Sequence, residues 1–297
     1  MGYALQPYDD ALDKILKDGV KKTNRTGVGT IALFGLCSRY NLQEGFPLLT
    51  RRQIPFEAML GELLWFLSGS TSNDDLKALG CNFWTPWVDK EFEQKHGFAP
   101  GQFGPVYGFQ LRHFNGEYGN GIGGPAHSTT TEENLYGKGG YDQLLYMMDR
   151  IKNKPDCRRI LFSLWNPLQM DQMRLPPCHY TYQVFIDVDR NRLSGMLTQR
   201  SCDFPIGVPF NIAFYSALTM MLAQQGGYEP YEFVHSTVDS HIYLNQVEAV
   251  YEYLKRPKPD SPKLEIKPAR DILSYKVDNF NLVGYKPQPK IKIPVAV

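Results

Sequence analysis

Residues 179–200 read HYTYQVFIDVDRNRLSGMLTQR, and this stretch decides the fold class. Its β-branched and aromatic residues predict strands at 179–188 and 192–200, joined by a hairpin turn at 189–191. Because a short turn connects antiparallel strands, the sheet that holds them is not purely parallel. Helices and strands are otherwise interleaved along the chain, so the sequence predicts an α+β fold.

The spacing of apolar residues predicts the other elements. Helices are predicted at residues 7–19, 55–68, 142–153, 212–225 and 240–254, and further strands at 30–39 and 158–165. The helix at 212–225 is apolar almost all round and is therefore expected to be buried. The sequence contains no internal repeat and no linker-like boundary, which favours a single domain over residues 1–297.

Composition argues against several classes of protein. The chain has 297 residues, of which 42% are apolar, and its 32 basic side chains nearly balance 31 acidic ones. A net charge of +1 disfavours a protein dedicated to nucleic acid or to a membrane surface. No apolar run is long enough to span a bilayer, and the N-terminus lacks the apolar segment of a secretory signal.

The five cysteines are scattered, and none has the spacing of a zinc site. This pattern predicts no bound metal, thiols without disulfides, and a reducing, cytoplasmic compartment.

Residues 115–140 hold eight glycines and little apolar periodicity. No Gly-Lys-Ser/Thr follows them, which argues against a phosphate-binding loop, and they are expected to form a surface insertion.

Cys178 follows two prolines in the segment LPPCH. The prolines restrict the backbone before the thiol, which is then presented at the rigid start of a strand. A lone cysteine is usually buried and inert, so the local sequence by itself favours a structural role. The neighbouring His179 is not expected to act as its base, because successive side chains on a strand point to opposite faces. Activation of the thiol is expected from a cation such as Arg200.

Two polar clusters allow both a structural and a functional interpretation. Arg200 and Asp203 either form a salt bridge at a strand end or leave Arg200 to bind an anion. Asn211 either caps the apolar helix that follows it, or offers its amide to the N3–H and O4 edge of a uracil.

Glu62 is one of only two charged residues in the helix predicted at 55–68. It either faces solvent, or is buried with a raised pKa that suits proton transfer.

His241 and Tyr243 lie at the predicted start of the helix at 240–254, where they either pack and cap or bind a sugar hydroxyl. Arg158 and Arg159 either bind phosphate or form the solvated start of a strand.

Seven segments, in order along the chain, resemble the thymidylate synthase family. They are residues 24–30 (NRTGVGT), 62–66 (ELLWF), 104–108 (GPVYG), 175–179 (LPPCH), 199–203 (QRSCD), 207–211 (GVPFN) and 239–243 (DSHIY). The chain also ends in PVAV, residues 294–297, as that family does. The number and order of these motifs outweigh the structural interpretation that each cluster allows by itself.

The resemblance implies a single α+β domain with a mixed sheet packed against helices, and a homodimer whose subunits meet through their sheets. It implies methylation of dUMP at C5 to dTMP, with 5,10-methylenetetrahydrofolate as one-carbon donor and reductant. Neither a nucleic acid nor a membrane is required.

The resemblance also implies roles for individual residues. Cys178 attacks C6 of the pyrimidine, and Glu62, Tyr107 and His179 manage protons. The residues implied to bind the nucleotide are Arg25, Arg158, Arg159, Arg200, Ser201, Asp203, Asn211, His241 and Tyr243, with Arg158 and Arg159 donated by the partner subunit. Those implied to contact or close over the folate are Trp84, Asp203, Gly207 and Val297.

Some positions depart from the family's usual residues: Thr85-Pro86, Leu111, Phe204-Pro205, Thr237-Val238 and Gln246. Several border the folate side, so a hydroxymethylase that lets water capture the one-carbon adduct is an open alternative. The retained terminal segment favours the methyl product, because in the family that this chain resembles the tail seals the site against water. A catalytically dead nucleotide-binding protein is disfavoured, since Cys178, Glu62, Tyr107, Arg200 and Asn211 are all present.

Overall fold

A computed structural model describes residues 2–24, 27–119 and 139–295. The helices are α1 Gln6–Asp18, α2 Phe56–Ser68, α3 Asn73–Ala78, α4 Lys90–His96, α5 Tyr107–Arg112, α6 Gln143–Asn153, α7 Gly207–Gly226 and α8 Val247–Lys255. The strands are β1 Val20–Lys22, β2 Thr30–Asn41, β3 Leu161–Ser163, β4 His179–Asp187, β5 Arg192–Asp203, β6 Glu229–Tyr243, β7 Lys263–Ile266 and β8 Phe280–Val283.

The chain divides into two compact units. Unit 1 comprises Met1–Pro55, Val184–Lys267 and Asp278–Val297, and unit 2 comprises Phe56–Gln183 and Pro268–Val277. The prediction of one domain over the whole chain stays a prediction. The predicted surface insertion lies largely outside the described residues, which omit 120–138.

Unit 1 is built on a mixed sheet, as predicted. Its strands follow the order β1-β2-β6-β5, with the end of β4 next to β5. β2 is antiparallel to β1 and β6, whereas β5 and β6 are parallel. A parallel pair needs a crossover connection, and α7 supplies it between β5 and β6.

The predicted hairpin is confirmed within unit 1. β4 ends at Asp187, β5 begins at Arg192, and the two strands are neighbours in the sheet. The turn is held by Asp187, whose carboxylate accepts the Arg190 N–H at 3.1 Å and pairs with the Arg190 guanidinium at 2.8 Å. Asn191 takes the left-handed conformation that closes the turn, with φ of 53°.

The predicted buried helix is α7, and it covers one face of this sheet. It packs against β5 and β6 and is buried almost all round. It ends where Gly227 adopts a φ of 80°, a conformation that favours glycine. On the strands, Phe185 and Met196 are 70% and 41% exposed. Unit 1 therefore presents apolar side chains on a sheet surface that its own helix leaves uncovered.

Unit 2 contains α2 to α6, β3 and the start of β4, which pairs antiparallel with β3. Its interior holds a buried ion pair between Arg112 and Asp142, with N···O distances of 2.8 and 2.9 Å. Asp142 also accepts the Leu145 N–H at 3.0 Å and so caps α6. One carboxylate therefore links the end of α5 to the beginning of α6.

Two sequence predictions about elements were wrong. Residues 240–243 are the end of β6, and the helix predicted at 240–254 begins only at Val247. All four residues pair with β2, and Ser240 and His241 also pair with β5 on the other side. This pairing outweighs their local helical pattern. The strand predicted at 158–165 is limited to Leu161–Ser163, because residues 158 and 159 form a turn.

Among the described residues, none of the helices combines the length and apolar character needed to cross a membrane.

We expect Asp142→Ala to lower the free energy of unfolding by about 3–5 kcal/mol, because it leaves the buried Arg112 charge unpaired. Urea unfolding followed by tryptophan fluorescence measures the change. Asp149→Ala, on the exposed face of the same helix, is the control and should cost less than about 1 kcal/mol. Equal effects of the two substitutions would contradict this account of α5 and α6.

Candidate functional site

Glu62 is one of two acidic side chains on the largely apolar helix α2. Its carboxylate accepts a hydrogen bond from the Trp84 indole N–H at 2.7 Å. Burial raises the pKa of Glu62 to about 7, although the Trp84 hydrogen bond acts in the opposite direction. The side chain keeps partial contact with solvent. Of the two sequence interpretations, the structure supports the acid with a raised pKa.

An aromatic cluster in unit 2 creates this environment. Trp84 lies edge-on to Trp65, with ring centroids 5.4 Å apart, and edge-on to Tyr107 at 5.6 Å. Phe103 approaches Trp84 to 5.1 Å, and Phe66 stacks on Tyr107 at 4.8 Å. The rings remove water from the wall on which the carboxyl sits, and desolvation raises the pKa of an acid.

Tyr107 holds the backbone at Cys178. The Cys178 N–H donates to the Tyr107 hydroxyl oxygen at 2.8 Å, and Cys178 itself is partly exposed. The two preceding residues are prolines without N–H groups, so the Cys178 N–H is the only backbone donor of residues 176–178. Because its oxygen accepts this bond, the Tyr107 hydroxyl retains its proton for another acceptor.

His179 lies beside the same tyrosine. Its ring centroid is 4.4 Å from that of Tyr107 and 5.9 Å from that of Phe66. Unit 2 thus brings together five of the predicted site residues, namely Glu62, Trp84, Tyr107, Cys178 and His179.

A buried amide network supports the short helix that carries Tyr107, and sequence reasoning did not find it. Gln110 donates to the Pro105 carbonyl and to Gln169, each at 2.8 Å. Asn166 donates to both Gln110 and Gln169, at 3.2 and 3.0 Å. Because the partners are distant in sequence, no spacing signal marks this network.

A second group of predicted site residues lies at the ends of β5 and β6 in unit 1. The parallel register places Ser201 beside Asp239 and Asp203 beside His241. His241 therefore belongs to a strand and not to the start of a helix, as the sequence had indicated. Strand ends in this register align the polar side chains of two segments that are far apart in sequence.

His241 is held by Asp239. Its Nδ1 lies 3.2 Å from both the backbone and the carboxylate oxygens of Asp239. Lys22 donates to the other carboxylate oxygen at 2.7 Å. Burial alone would raise the pKa of Asp239, but its contacts with Lys22 and His241 lower it below the ordinary value.

Asp203 is bound by neighbours in unit 1. Its Oδ1 accepts the Ile206 N–H at 3.2 Å, and its Oδ2 accepts the Gln246 side-chain amide at the same distance. Burial raises the pKa of Asp203, and these hydrogen bonds oppose the rise. Gln246 was identified only as a departure from the family pattern, so its place in this site is a structural finding.

Asn211 lies inside α7 and does not cap it. The helix begins at Gly207 and its N-cap position is Ile206, so the capping interpretation was wrong. Gly207 lies one turn earlier, and a Cβ there would meet the Asn211 side-chain oxygen at 4.0 Å.

Four other predicted residues belong to neither of these two groups. Arg158 and Arg159 are exposed in the turn that precedes Ile160. Arg25 and Val297 lie outside the described residues. Within residues 2–24, 27–119 and 139–295, no group of three or more His, Cys, Asp or Glu side chains could hold a metal ion.

Comparison with known proteins identifies one family. A family model described as thymidylate synthase matches residues 6–297. The human thymidylate synthase is 41% identical over 294 residues, which cover 98% of this chain and 90% of the human protein. The bifunctional dihydrofolate reductase-thymidylate synthases of Paramecium tetraurelia and Zea mays are each 42% identical and align with 98% of this chain. The chain spans only 61% and 54% of the length of these two bifunctional relatives.

We expect Trp84→Phe to raise the pKa of Glu62 above its value of about 7. The indole N–H stabilises the ionised carboxylate, and a hydrogen bond to a charged group is worth about 1.5–3 kcal/mol. A pH titration of ¹³C-labelled glutamate by NMR measures the change. Trp87→Phe, in the neighbouring turn, should leave the titration of Glu62 where it is. An unchanged or lower pKa in Trp84→Phe would show that the indole does not stabilise the carboxylate.

Proposed function

This chain belongs to the thymidylate synthase family, and we propose that it methylates dUMP at C5 to give dTMP, with 5,10-methylenetetrahydrofolate as one-carbon donor and reductant. The observation that carries the proposal is the Glu62, Tyr107 and Cys178 group of unit 2. It combines a cysteine whose backbone N–H is held by Tyr107 with an acid whose pKa lies near 7.

In the proposed reaction the thiolate of Cys178 adds to C6 of the pyrimidine, and C5 becomes nucleophilic. C5 then bonds to the methylene carbon as the bond from that carbon to N10 of the folate breaks. Loss of the C5 proton next breaks the bond to N5, which leaves an exocyclic methylene group on C5 and frees tetrahydrofolate. Hydride from the folate completes the methyl group, and the bond between Cys178 and C6 breaks. The products are dTMP and dihydrofolate, so the atoms and electrons balance without any further oxidant or reductant.

Glu62 is the proposed centre of proton transfer. An acid with a pKa of about 7 is present in both protonation states near neutral pH, and it can order water and exchange protons at O4. Tyr107 and His179 support the same proton network in this proposal. Their rings pack against each other, which limits their movement during transfer.

Nucleotide recognition is assigned to a set of polar side chains. We propose that Arg25, Arg200 and Ser201 bind the phosphate, that Asn211 reads the base, and that His241 and Tyr243 bind the sugar. Asp203 is included among the nucleotide contacts. The alignment of Ser201 and His241 at neighbouring strand ends supports a common polar surface in unit 1. A guanidinium also favours a thiolate, so Arg200 is the proposed activator of Cys178.

The folate contacts are proposed for Trp84, Asp203, Gly207 and Val297. Asp203 offers a partly buried carboxyl group whose oxygens accept hydrogen bonds, a fit to a ligand rich in ring N–H groups. Gly207 leaves open space beside Asn211 for an approaching ring. A hydroxymethylase is not favoured, because the named relatives are thymidylate synthases.

A homodimer that joins the uncovered sheet faces is the proposed assembly. Phe185 and Met196 are exposed on strands of unit 1, and a second copy of the same surface would bury them. Arg158 and Arg159 would bind the nucleotide phosphate in the site of the partner subunit. Both are exposed in a turn, which leaves their side chains available for this contact. We also propose one catalytic domain, since a single family model spans both units, and a cytoplasmic location.

The proposed function is tested by mass analysis of the nucleotide formed from dUMP and 5,10-methylenetetrahydrofolate. We expect dTMP with an equal amount of dihydrofolate, and no turnover in Cys178→Ala, which should still bind dUMP. Cys37→Ala is the control and should retain activity, because that thiol is exposed and is assigned no role in the reaction. A 5-hydroxymethyl product without dihydrofolate would refute the proposal, as would turnover by Cys178→Ala.

Shared sites are tested by mixing two inactive variants. Cys178→Ala and the double variant Arg158→Ala/Arg159→Ala are expressed together with different tags, and the mixed dimer is isolated. If the arginines act across the interface, one site of the two is complete, and turnover returns to about half of the wild-type value. Two differently tagged copies of Cys178→Ala are the matched control. An inactive mixed dimer would show that the arginines serve their own subunit.

A further inference from the structure

Gln246 is a fully buried amide in unit 1, with 0% exposure, and each polar atom of its side chain has a partner. Its Oε1 accepts the Tyr243 N–H at 3.1 Å. Its Nε2 donates to Asp203 Oδ2 at 3.2 Å and to the Pro294 carbonyl at 2.9 Å. One side chain therefore contacts the end of β6, the end of β5 and the C-terminal segment.

The partners determine the orientation of this amide. They are one N–H donor and two oxygen acceptors, which match one amide oxygen and one NH₂ group. In the reversed orientation the NH₂ group would face an N–H, and the oxygen would face two other oxygens. Buried polar groups that lose their partners are costly, so the site specifies a side chain with this arrangement of donors and acceptor.

The Pro294 contact lies near the end of a segment that is attached to unit 1 at several points. The Gln288 N–H donates to the Thr50 carbonyl at 2.7 Å, and the Pro289 carbonyl accepts from Arg256. Ile291 is buried. Beyond Pro294, the side chain of Val295 is 62% exposed. Gln246 thus makes the polar contact nearest the end of the described segment.

We propose that Gln246 is a positioning residue that anchors the C-terminal segment and joins its placement to that of Asp203. Loss of the NH₂ group removes a donor from both oxygens at once, so the carboxylate and the end of the segment lose a contact together. The consequence for catalysis rests on the proposed function. A displaced segment admits water and weakens folate binding, whereas dUMP binding is affected less, because Asp203 is only one of several proposed nucleotide contacts and keeps its hydrogen bond from the Ile206 N–H.

Gln246→Glu tests the anchor with almost no change in size. The glutamate keeps an oxygen for the Tyr243 N–H but turns a carboxylate oxygen toward Asp203 and the Pro294 carbonyl, which is repulsive. We expect amide hydrogen exchange in peptides covering residues 288–295 to become up to about tenfold faster, because the lost bond to the neutral Pro294 carbonyl is worth about 0.5–1.5 kcal/mol. This measurement needs neither substrate nor activity.

Gln224→Glu is the matched control, because Gln224 donates its amide to the Ile266 carbonyl at 2.8 Å, a different contact of unit 1. It should leave exchange at 288–295 unchanged. Gln246→Met is the second variant, to be used if the glutamate prevents folding. It removes the hydrogen bonds without adding a charge. Unchanged exchange at 288–295 in a folded Gln246 variant, or an equal increase in Gln224→Glu, would overturn the proposal.

The kinetic readout separates this role from general destabilisation. In Gln246→Glu we expect the KM for the folate to rise at least tenfold with a smaller rise in the KM for dUMP, and the share of 5-hydroxymethyl product to increase. An equal rise in both KM values would overturn the assigned link to the folate. If the wild-type protein forms no dTMP, the proposed function fails, and the exchange experiment still decides whether Gln246 anchors the segment.

Discussion

The parallel pairing of β5 with β6 is the constraint on which the polar surface of unit 1 depends. It sets Ser201 opposite Asp239 and Asp203 opposite His241, although the paired residues are far apart in sequence. A parallel pair needs a long crossover, and α7 both supplies it and covers the sheet. The same crossover carries Gly207 and Asn211, so the connection that the topology demands also contributes two of the proposed ligand contacts.

In unit 2 the main constraint is different: a carboxyl group lies in apolar surroundings and must still exchange protons near neutral pH. Glu62 stands on a helix whose other faces are buried, and desolvation raises its pKa to about 7. The Trp84 N–H prevents a larger rise, and the aromatic cluster that holds Trp84 also stacks on Tyr107. Because Tyr107 in turn binds the Cys178 backbone, the proposed acid and the proposed nucleophile share one packed support.

The sequence predicted those features that depend on local patterns. The hairpin before β5, the buried helix α7 and the acid on α2 all follow from periodicity and composition. Residues 240–243 were assigned to a helix because their local pattern is ambiguous, and only the neighbours on both sides of β6 make them a strand. The sequence predicted that this helix starts at residue 212, and Asn211 was therefore considered as its cap. The helix starts at Gly207 instead. The contacts of Gln110 and Gln246 join residues distant in sequence, and no spacing rule identifies such pairs.

Gln246 shows how a departure from a family pattern can be accommodated without loss of the surrounding polar contacts. The end of β6, the Asp203 carboxylate and the Pro294 carbonyl present one donor and two acceptors to a fully buried side chain. A primary amide satisfies all three, whereas a carboxylate would satisfy one and repel two. The residue that fills this position is therefore constrained by the C-terminal segment as much as by the strand that precedes it. In the proposed reaction the segment keeps water from the one-carbon unit, so the choice of side chain at position 246 bears on whether methyl or hydroxymethyl is formed.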